Sequence, residues 1–317
     1  MDKIKLNDGN EIPSFGLGTW KATNAGEAFE AVKLAIKIGY RHIDCAWVYN
    51  NEDEVGKAIR ECIDEGIVSR EDLWITSKLW NNRHHPDEVE KACRESLEAL
   101  GLDYLDLYLV HWPMAFSVPF PSENDGYITL EEQPLEKTWA AMEDLKDKGL
   151  TRSIGVSNFS TSHLEEILAS ARTSPAMNQV ELHPYLVQEK LMAYCREKNI
   201  ALTAYSPLGS GGLPDPQDPS KMVSLLEDDT VMRVAQKHNT SVGAVLISWA
   251  IRRGTCVIPK SSNPDRIKQN LEASKLPLDD TDMVALEGLD RSFRFVNPGM
   301  WMGPNSPYSE DKLWRDD

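Results

Sequence analysis

The chain has 317 residues, of which 41% are hydrophobic and 26% charged, and its formal net charge is −16. This length fits two ordinary domains or one large α/β barrel, and the composition is typical of a globular chain with a sizeable core. The negative charge argues against nucleic acid and anionic membranes as general surface partners, because their phosphates would be repelled.

The N-terminal segment 1–16 has no apolar stretch typical of an export signal, and no apolar run in the chain approaches the ~18 residues that cross a membrane. Five scattered cysteines without a C-x-x-C pair favour reduced, buried thiols over disulfides or a zinc site. His84 and His85 lie in a polar turn, where we expect them to be solvated, and they lack a third ligand. We therefore expect a cytoplasmic protein without a metal site.

Eight short apolar or β-branched segments are predicted to be strands. They cover residues 14–18, 41–45, 73–78, 105–111, 152–157, 178–182, 201–206 and 255–260. Between them, apolar residues recur at helical spacing, as at Phe29, Val32 and Ile36. An Asn-Asp-Gly turn near the N-terminus predicts a small hairpin that covers the bottom of the sheet. Eight alternations predict an α/β fold, a closed parallel (β/α)8 TIM barrel in one domain spanning residues 1–317, with long loops at its C-terminal face.

In such a barrel, the carboxyl ends of the strands meet at one mouth, where ligands bind. Three long, irregular connections are expected to reach this mouth: residues 113–134, residues 207–228 and the tail from about 290. One polar residue at a strand end is as easily a solvated cap as a functional group, but a polar group at seven strand ends indicates a site. These residues are Asp44, Lys78, His111, Ser157 with Asn158, Gln179 with Glu181, Tyr205 with Ser206, and Lys260.

Eight motifs, in matching order and spacing, resemble those of the aldo-keto reductase family, and most closely its monomeric aldose and aldehyde reductases. They are FGLGTW, RHIDCAWVYNNEDEVG, ITSKLW, LDLYLVHWP, GVSNF, NQVELHPY, AYSPLGSG and IPKSSNPDRIKQN. Together they cover essentially the whole chain. The resemblance implies a barrel that reduces carbonyl compounds with NADPH.

The chemistry that this resemblance implies is consistent with the residue types. A carbonyl reduced by hydride needs a proton at its developing alkoxide, and Tyr49 is the candidate donor. Because a free tyrosine is a weak acid at neutral pH, we expect Lys78 to lower its pKa and Asp44 to pair with the lysine. His111 is expected to lie across the pocket and orient the carbonyl oxygen. Asp44, Tyr49, Lys78 and His111 are thus the predicted catalytic residues.

The cofactor is predicted to lie across the barrel mouth, because no G-x-G-x-x-G segment joins a strand to a helix as a Rossmann site requires. Tyr205 offers an aromatic face to the nicotinamide. Lys260, Ser261 and Arg266 combine positive charge with the start of a helix at Pro264, which suits a 2′-phosphate and predicts NADPH over NADH. The predicted cofactor contacts are Gly18, Thr19, Trp20, Asp44, Ser157, Asn158, Gln179, Tyr205, Ser206, Leu208, Ser210, Lys260, Ser261, Ser262, Arg266, Gln269 and Asn270. Of these, Leu208 and Ser210 belong, by resemblance, to a glycine-rich loop over the pyrophosphate, and Gln269 and Asn270 contact the adenine.

The substrate pocket is predicted to be apolar and aromatic, which suits aldehydes, aldoses and small ketones. Its predicted lining is Trp20, Val48, Tyr49, Trp80, His111, Trp112 and Trp301. The tail has no pattern that assigns a substrate. Arg291 and Arg294 leave open an acidic substrate such as a uronate, beside a simpler role in surface ion pairs.

The leading hypothesis is therefore an NADPH-dependent reductase of aldehydes that acts as a cytoplasmic monomer on a small carbonyl substrate. Two alternatives remain at this point. One is a non-catalytic NADP(H)-binding barrel with a regulatory or structural role. The other is an enzyme that works in the oxidative direction on polyols or hydroxysteroids.

Overall fold

A computed structural model describes residues 2–122, 125–210, 213–214, 220, 222–303 and 305–314. The chain begins with the antiparallel strands β1 (Lys3–Lys5) and β2 (Glu11–Pro13). Their turn includes Gly9 at φ 88°, a conformation that glycine adopts without strain. Leu6 and Ile12 are buried against Trp74 and other residues inside the lower barrel. The predicted hairpin at the barrel bottom is confirmed.

Eight parallel strands form one sheet. They are β3 (Leu17–Gly18), β4 (His42–Asp44), β5 (Trp74–Leu79), β6 (Leu105–Val110), β9 (Thr151–Ser157), β10 (Met177–Glu181), β11 (Ala201–Tyr205) and β14 (Cys256–Val257). Their order in the sheet is β14, β11, β10, β9, β6, β5, β4, β3. Backbone hydrogen bonds join its two ends: Val257 N donates to Ser14 O, and Gly16 N donates to Val257 O, both at 2.9 Å. The sheet therefore closes on itself, which confirms the predicted barrel.

Helices surround this sheet and follow the strands as predicted. Their bounds are α1 (Glu27–Ile38), α2 (Glu52–Asp64), α3 (Pro86–Leu100), α4 (Leu135–Asp147), α5 (Thr161–Leu168), α6 (Glu189–Glu197), α7 (Asp229–Lys237), α8 (Val242–Arg252), α9 (Pro264–Ala273), α10 (Asp280–Glu287) and α11 (Glu310–Leu313). Each longer helix buries its apolar stripe, as α1 does through Val32 and Ile36. None of the helices in the described part of the chain is long and apolar enough to cross a membrane.

The burial of side chains in the structure tests two of the sequence predictions. All five cysteines are buried thiols that form no disulfide with one another, as expected of packing residues. The prediction for His84 is wrong, because this side chain is only 2% exposed. Burial lowers its pKa to about 3, so the ring is neutral. His85 is exposed and accepts a hydrogen bond from Asp87 N at the start of α3.

The long connections contain more structure than the sequence indicates. The first holds β7 (Ala115–Phe116) paired with β8 (Tyr127–Ile128), and the second holds β12 (Leu213–Pro214) paired with β13 (Met222–Val223). The tail contains a 3-10 turn, Pro298–Trp301, followed by α11. Tyr308 links the tail to the β7–β8 hairpin, since its hydroxyl accepts a hydrogen bond from Ala115 N at 2.8 Å. Residues 211 and 212, the last glycines of the predicted cofactor loop, lie outside the described residues.

Gly56 allows α2 to contact α3 closely, and we predict that Gly56→Ala destabilises the fold. A Cβ at this position would overlap the carbonyl group of Leu100 and come within 2.6 Å of its Cα. We expect a loss of about 1–3 kcal/mol in the free energy of unfolding, measured by urea denaturation. Gly243→Ala is the matched control, because the nearest atom to its Cβ is 3.8 Å away, on Leu208. Equal effects of the two variants would contradict the close-contact explanation.

Candidate active site

A buried ion pair lies at the centre of the barrel mouth. Lys78, at the end of β5, is fully buried, and its Nζ donates to Asp44 Oδ1 at 2.6 Å and to the carbonyl oxygen of Cys45 at 2.9 Å. The second carboxylate oxygen of Asp44 accepts from Gln179 Nε2 at 2.7 Å. Burial disfavours the ammonium, but the charge of Asp44 outweighs it, so the pKa of Lys78 is raised above its ordinary value. Lys78 is therefore a cation at neutral pH.

Tyr49 reaches this ion pair from a short turn. Strand β4 ends at Asp44, and a 3-10 turn, Trp47–Tyr49, places the Tyr49 hydroxyl 3.4 Å from Lys78 Nζ. The expectation that Lys78 lowers the pKa of Tyr49 below its ordinary value is wrong for the net shift. Burial raises this pKa to about 12, although the charge of Lys78 acts in the opposite direction. The hydroxyl is therefore protonated at neutral pH, as a proton donor must be.

His111 follows β6 and faces Tyr49 across the mouth. The two rings meet edge to face with centroids 5.8 Å apart, and the Trp80 ring also meets the imidazole edge to face, with centroids 5.1 Å apart. Burial, followed by the charge of Lys78, holds the pKa of His111 well below its usual value. The ring is therefore neutral, and one of its nitrogens carries a proton that it can donate.

A cleft of about 650 Å³ opens above these residues. Most of the predicted site residues line it: Gly18, Trp20, Asp44, Val48, Tyr49, Trp80, His111, Trp112, Ser157, Asn158, Gln179, Tyr205, Ser206, Leu208, Ser210, Lys260 and Trp301. Lys78 lies beneath the cleft. The predicted residues that do not line it are Thr19, whose hydroxyl donates to Asp44 O, and the group Ser261, Ser262, Arg266, Gln269 and Asn270, which follows β14.

The inner end of the cleft fits a nicotinamide ring. Tyr205 has its hydroxyl fixed by a 2.7 Å hydrogen bond to Asn158 Oδ1, so its ring is held as a rigid aromatic wall. Asn158 Nδ2 in turn donates to His111 O at 2.9 Å. Because Gln179 uses its amide nitrogen for Asp44, its side-chain oxygen is the group that can accept a hydrogen bond from a carboxamide.

The end of the cleft near Lys260, where the sequence predicts that the 2′-phosphate binds, contains two contacts that the sequence does not show. The start of α9 is already capped, since Asn263 Oδ1 accepts from Asp265 N and Arg266 N at 3.0 Å each. Lys260 is paired, since its Nζ lies 2.8 Å from Glu27 Oε1. Positive charge and the start of α9 do lie together here, as predicted, but both already have partners within the chain. Arg266, in the first turn of α9, is exposed.

Several residues that line the cleft were not identified from the sequence. They are Lys21, Phe120 and the tail residues Phe295, Val296, Asn297 and Pro298. The tail is held by Glu181, whose carboxylate accepts from Phe295 N at 2.7 Å and Val296 N at 3.0 Å. Glu181 appears in sequence only as one polar strand-end residue, and its partner lies more than a hundred positions away.

The two tail arginines do not line the cleft. The guanidinium of Arg291 lies 3.6 Å from the ring centroid of Tyr185, and that of Arg294 lies 3.6 Å from the ring of Trp314. Both therefore pack on aromatic faces. This arrangement offers no support for the acidic substrate that the sequence left open.

Comparison with known proteins agrees with this geometry. The sequence profile of the Aldo/keto reductase family matches residues 14–291. The chain is 47% identical over 316 residues to the aldo/keto reductase slr0942 of Synechocystis sp., an alignment that covers 99% of this chain and 96% of the relative. It is 46% identical to aldo-keto reductase family 1 member A1-A of Danio rerio, covering 99% and 95% of the two chains. It is 44% identical to aldo-keto reductase family 1 member A1 of Bos taurus, covering 93% and 91%.

The family match includes most of the chain, and the relatives align over nearly their full lengths. Family members are oxidoreductases that act on carbonyl compounds and generally use nicotinamide cofactors. The buried Lys78–Asp44 pair, the adjacent tyrosine and the closed barrel fit this chemistry. The chain belongs to the aldo/keto reductase family.

Proposed function

We propose that the protein reduces aldehydes, and related substrates such as aldoses and small ketones, to alcohols with NADPH. The observation that carries this proposal is the contact of the Tyr49 hydroxyl with Lys78 Nζ, which is itself bound to Asp44, at the mouth of an aromatic cleft. The protein acts on a small molecule as a cytoplasmic monomer, without nucleic acid or membrane as partner.

In the proposed mechanism, Tyr49 is the residue that donates the proton. A reduced nicotinamide held beside Tyr205 and Gln179 would supply the hydride. Tyr49 donates its hydroxyl proton to the carbonyl oxygen as negative charge develops there, and the ammonium of Lys78 stabilises the phenolate that remains. Asp44 holds Lys78 in place. The neutral ring of His111 donates a second hydrogen bond to the same oxygen and fixes its orientation.

Aromatic walls support an apolar carbonyl substrate. Trp80, Trp112 and Trp301 meet edge to face, with centroids 5.4 Å apart for Trp80 and Trp301 and 6.0 Å for Trp112 and Trp301. Phe120 adds a further face, 6.0 Å from Trp80. Such walls favour a hydrophobic group beside the carbonyl and leave the polar end of the cleft to the cofactor.

Tyr49→Phe is expected to lower kcat about 10²- to 10⁴-fold, because it removes the proton donor and leaves the ring. NADPH oxidation is followed with glyceraldehyde, a nitrobenzaldehyde, xylose and glucuronate. Cofactor binding and thermal stability should be retained, since among the described residues this hydroxyl has one hydrogen-bond partner, Lys78, at a long distance of 3.4 Å.

Tyr108→Phe is the matched control for this variant. It removes a hydroxyl that is buried on β6 without a partner among the described residues, so it should leave turnover unchanged. Full activity of Tyr49→Phe, or no turnover of any aldehyde by the unmodified protein, would overturn the catalytic proposal. The second result would favour a non-catalytic cofactor-binding barrel.

Arg266→Ala is expected to weaken NADPH binding about 10- to 100-fold and to leave NADH binding nearly unchanged. The reason is the loss of a charge-assisted hydrogen bond to the 2′-phosphate, which NADH lacks. Quenching of tryptophan fluorescence measures both affinities. Lys268→Ala, an exposed cation on the same helix, is the control. Equal losses for the two cofactors would mean that the phosphate is bound elsewhere.

A further inference from the structure

Glu27, the first residue of α1, is the group that compensates the charge of Lys260. Its Oε1 lies 2.8 Å from Lys260 Nζ, and Ser262 also hydrogen-bonds to this carboxylate. Its Oε2 accepts from Asn24 N at 3.2 Å and from Asn24 Nδ2 at 2.8 Å. The Glu27 side chain is only 14% exposed. The carboxylate is therefore fixed between the β3–α1 connection and the segment that follows β14.

This position adds negative charge where the resemblance to the aldo-keto reductase family implies that a phosphate binds. The side-chain hydrogen bonds from Lys260 and Ser262 lower the pKa of Glu27 to about 2, so it is ionised at physiological pH. A second carboxylate, that of Glu54, caps the start of the same helix and accepts from Gly26 N at 2.7 Å and Ala28 N at 3.1 Å. The backbone donors of α1 are thus already occupied by an anion.

Two cofactors would meet this carboxylate differently. A 2′-phosphate that binds Lys260 and Ser262 must displace Glu27 or lie beside it, and like charges repel. A ribose with a free 2′-hydroxyl can instead donate a hydrogen bond to a carboxylate, as in dinucleotide sites that select NAD. Glu27 therefore opposes the contribution that Arg266 would make to the preference for NADPH over NADH.

We propose that Glu27 is a cofactor-specificity residue that reduces the preference for NADPH and lets the enzyme use NADH as well. The inference rests on the proposed function, since it concerns the same cofactor site. In this inference, Glu27 competes with the 2′-phosphate for the ammonium group of Lys260. Removing its charge should therefore increase selectivity for the phosphorylated cofactor.

The test is Glu27→Gln, which keeps the shape of the side chain and removes its charge. We expect the ratio of the Kd for NADH to the Kd for NADPH to rise about tenfold, the effect of ~1.4 kcal/mol of removed repulsion. Binding is measured by fluorescence titration and, without the nicotinamide, with adenosine 2′,5′-bisphosphate against AMP. The difference between variant and unmodified protein should narrow at high salt, because the Glu27 side chain is partly exposed.

Glu30→Gln is the matched control, because Glu30 is an exposed acid in the first turn of the same helix. Glu27→Asp retains the charge and should keep the ratio of the two Kd values near that of the unmodified protein, which guards against a purely structural effect. An unchanged ratio in Glu27→Gln, with the unmodified protein binding both cofactors, overturns this inference and leaves the proposed function intact. Failure of the unmodified protein to bind either dinucleotide overturns both.

Discussion

The burial of one ammonium group governs the architecture of the barrel mouth. A lysine with no exposed side-chain surface is stable as a cation only when its charge is paired and its protons are bound. Lys78 meets this requirement with Asp44 and the carbonyl of Cys45, and Gln179 binds the carboxylate from the other side. Strands β4, β5 and β10 are thereby joined through a single charged cluster. Any shift of one strand along another would separate these atoms.

This cluster also sets the protonation states around it. The positive charge of Lys78 helps to keep His111 neutral and favours the phenolate form of Tyr49, whereas burial favours the phenol. In the mechanism that we propose, Tyr49, with a pKa of about 12, holds its proton until a stronger base forms nearby, and a developing alkoxide is such a base. Proton transfer from Tyr49 would then be coupled to the arrival of negative charge on the substrate. In that mechanism, Lys78 stabilises the phenolate that remains after the transfer.

The sequence alone predicted the strand and helix order, because each buried strand and amphipathic helix leaves a local pattern in it. It also predicted that Asp44, Lys78 and His111 meet at the mouth, since each ends or follows a strand, whereas Tyr49 was identified from its motif and from the need for a proton donor. The features that it missed depend on partners far away in the chain. The burial of His84 in what reads as a polar turn is one example, and the hold of Glu181 on Phe295 is another. The ion pair between Lys260 and Glu27 is a third example, since it joins residues more than two hundred positions apart.

The tail is fastened at two places, by Glu181 at residues 295 and 296 and by the Tyr308 hydroxyl, which binds Ala115. Trp301, which lines the cleft, lies between these two points. Its ring meets that of Trp80, and the Trp80 ring in turn meets His111. A substitution at Trp301 would therefore reach His111 through aromatic packing, whereas the Lys78–Asp44 pair is held by the strands themselves.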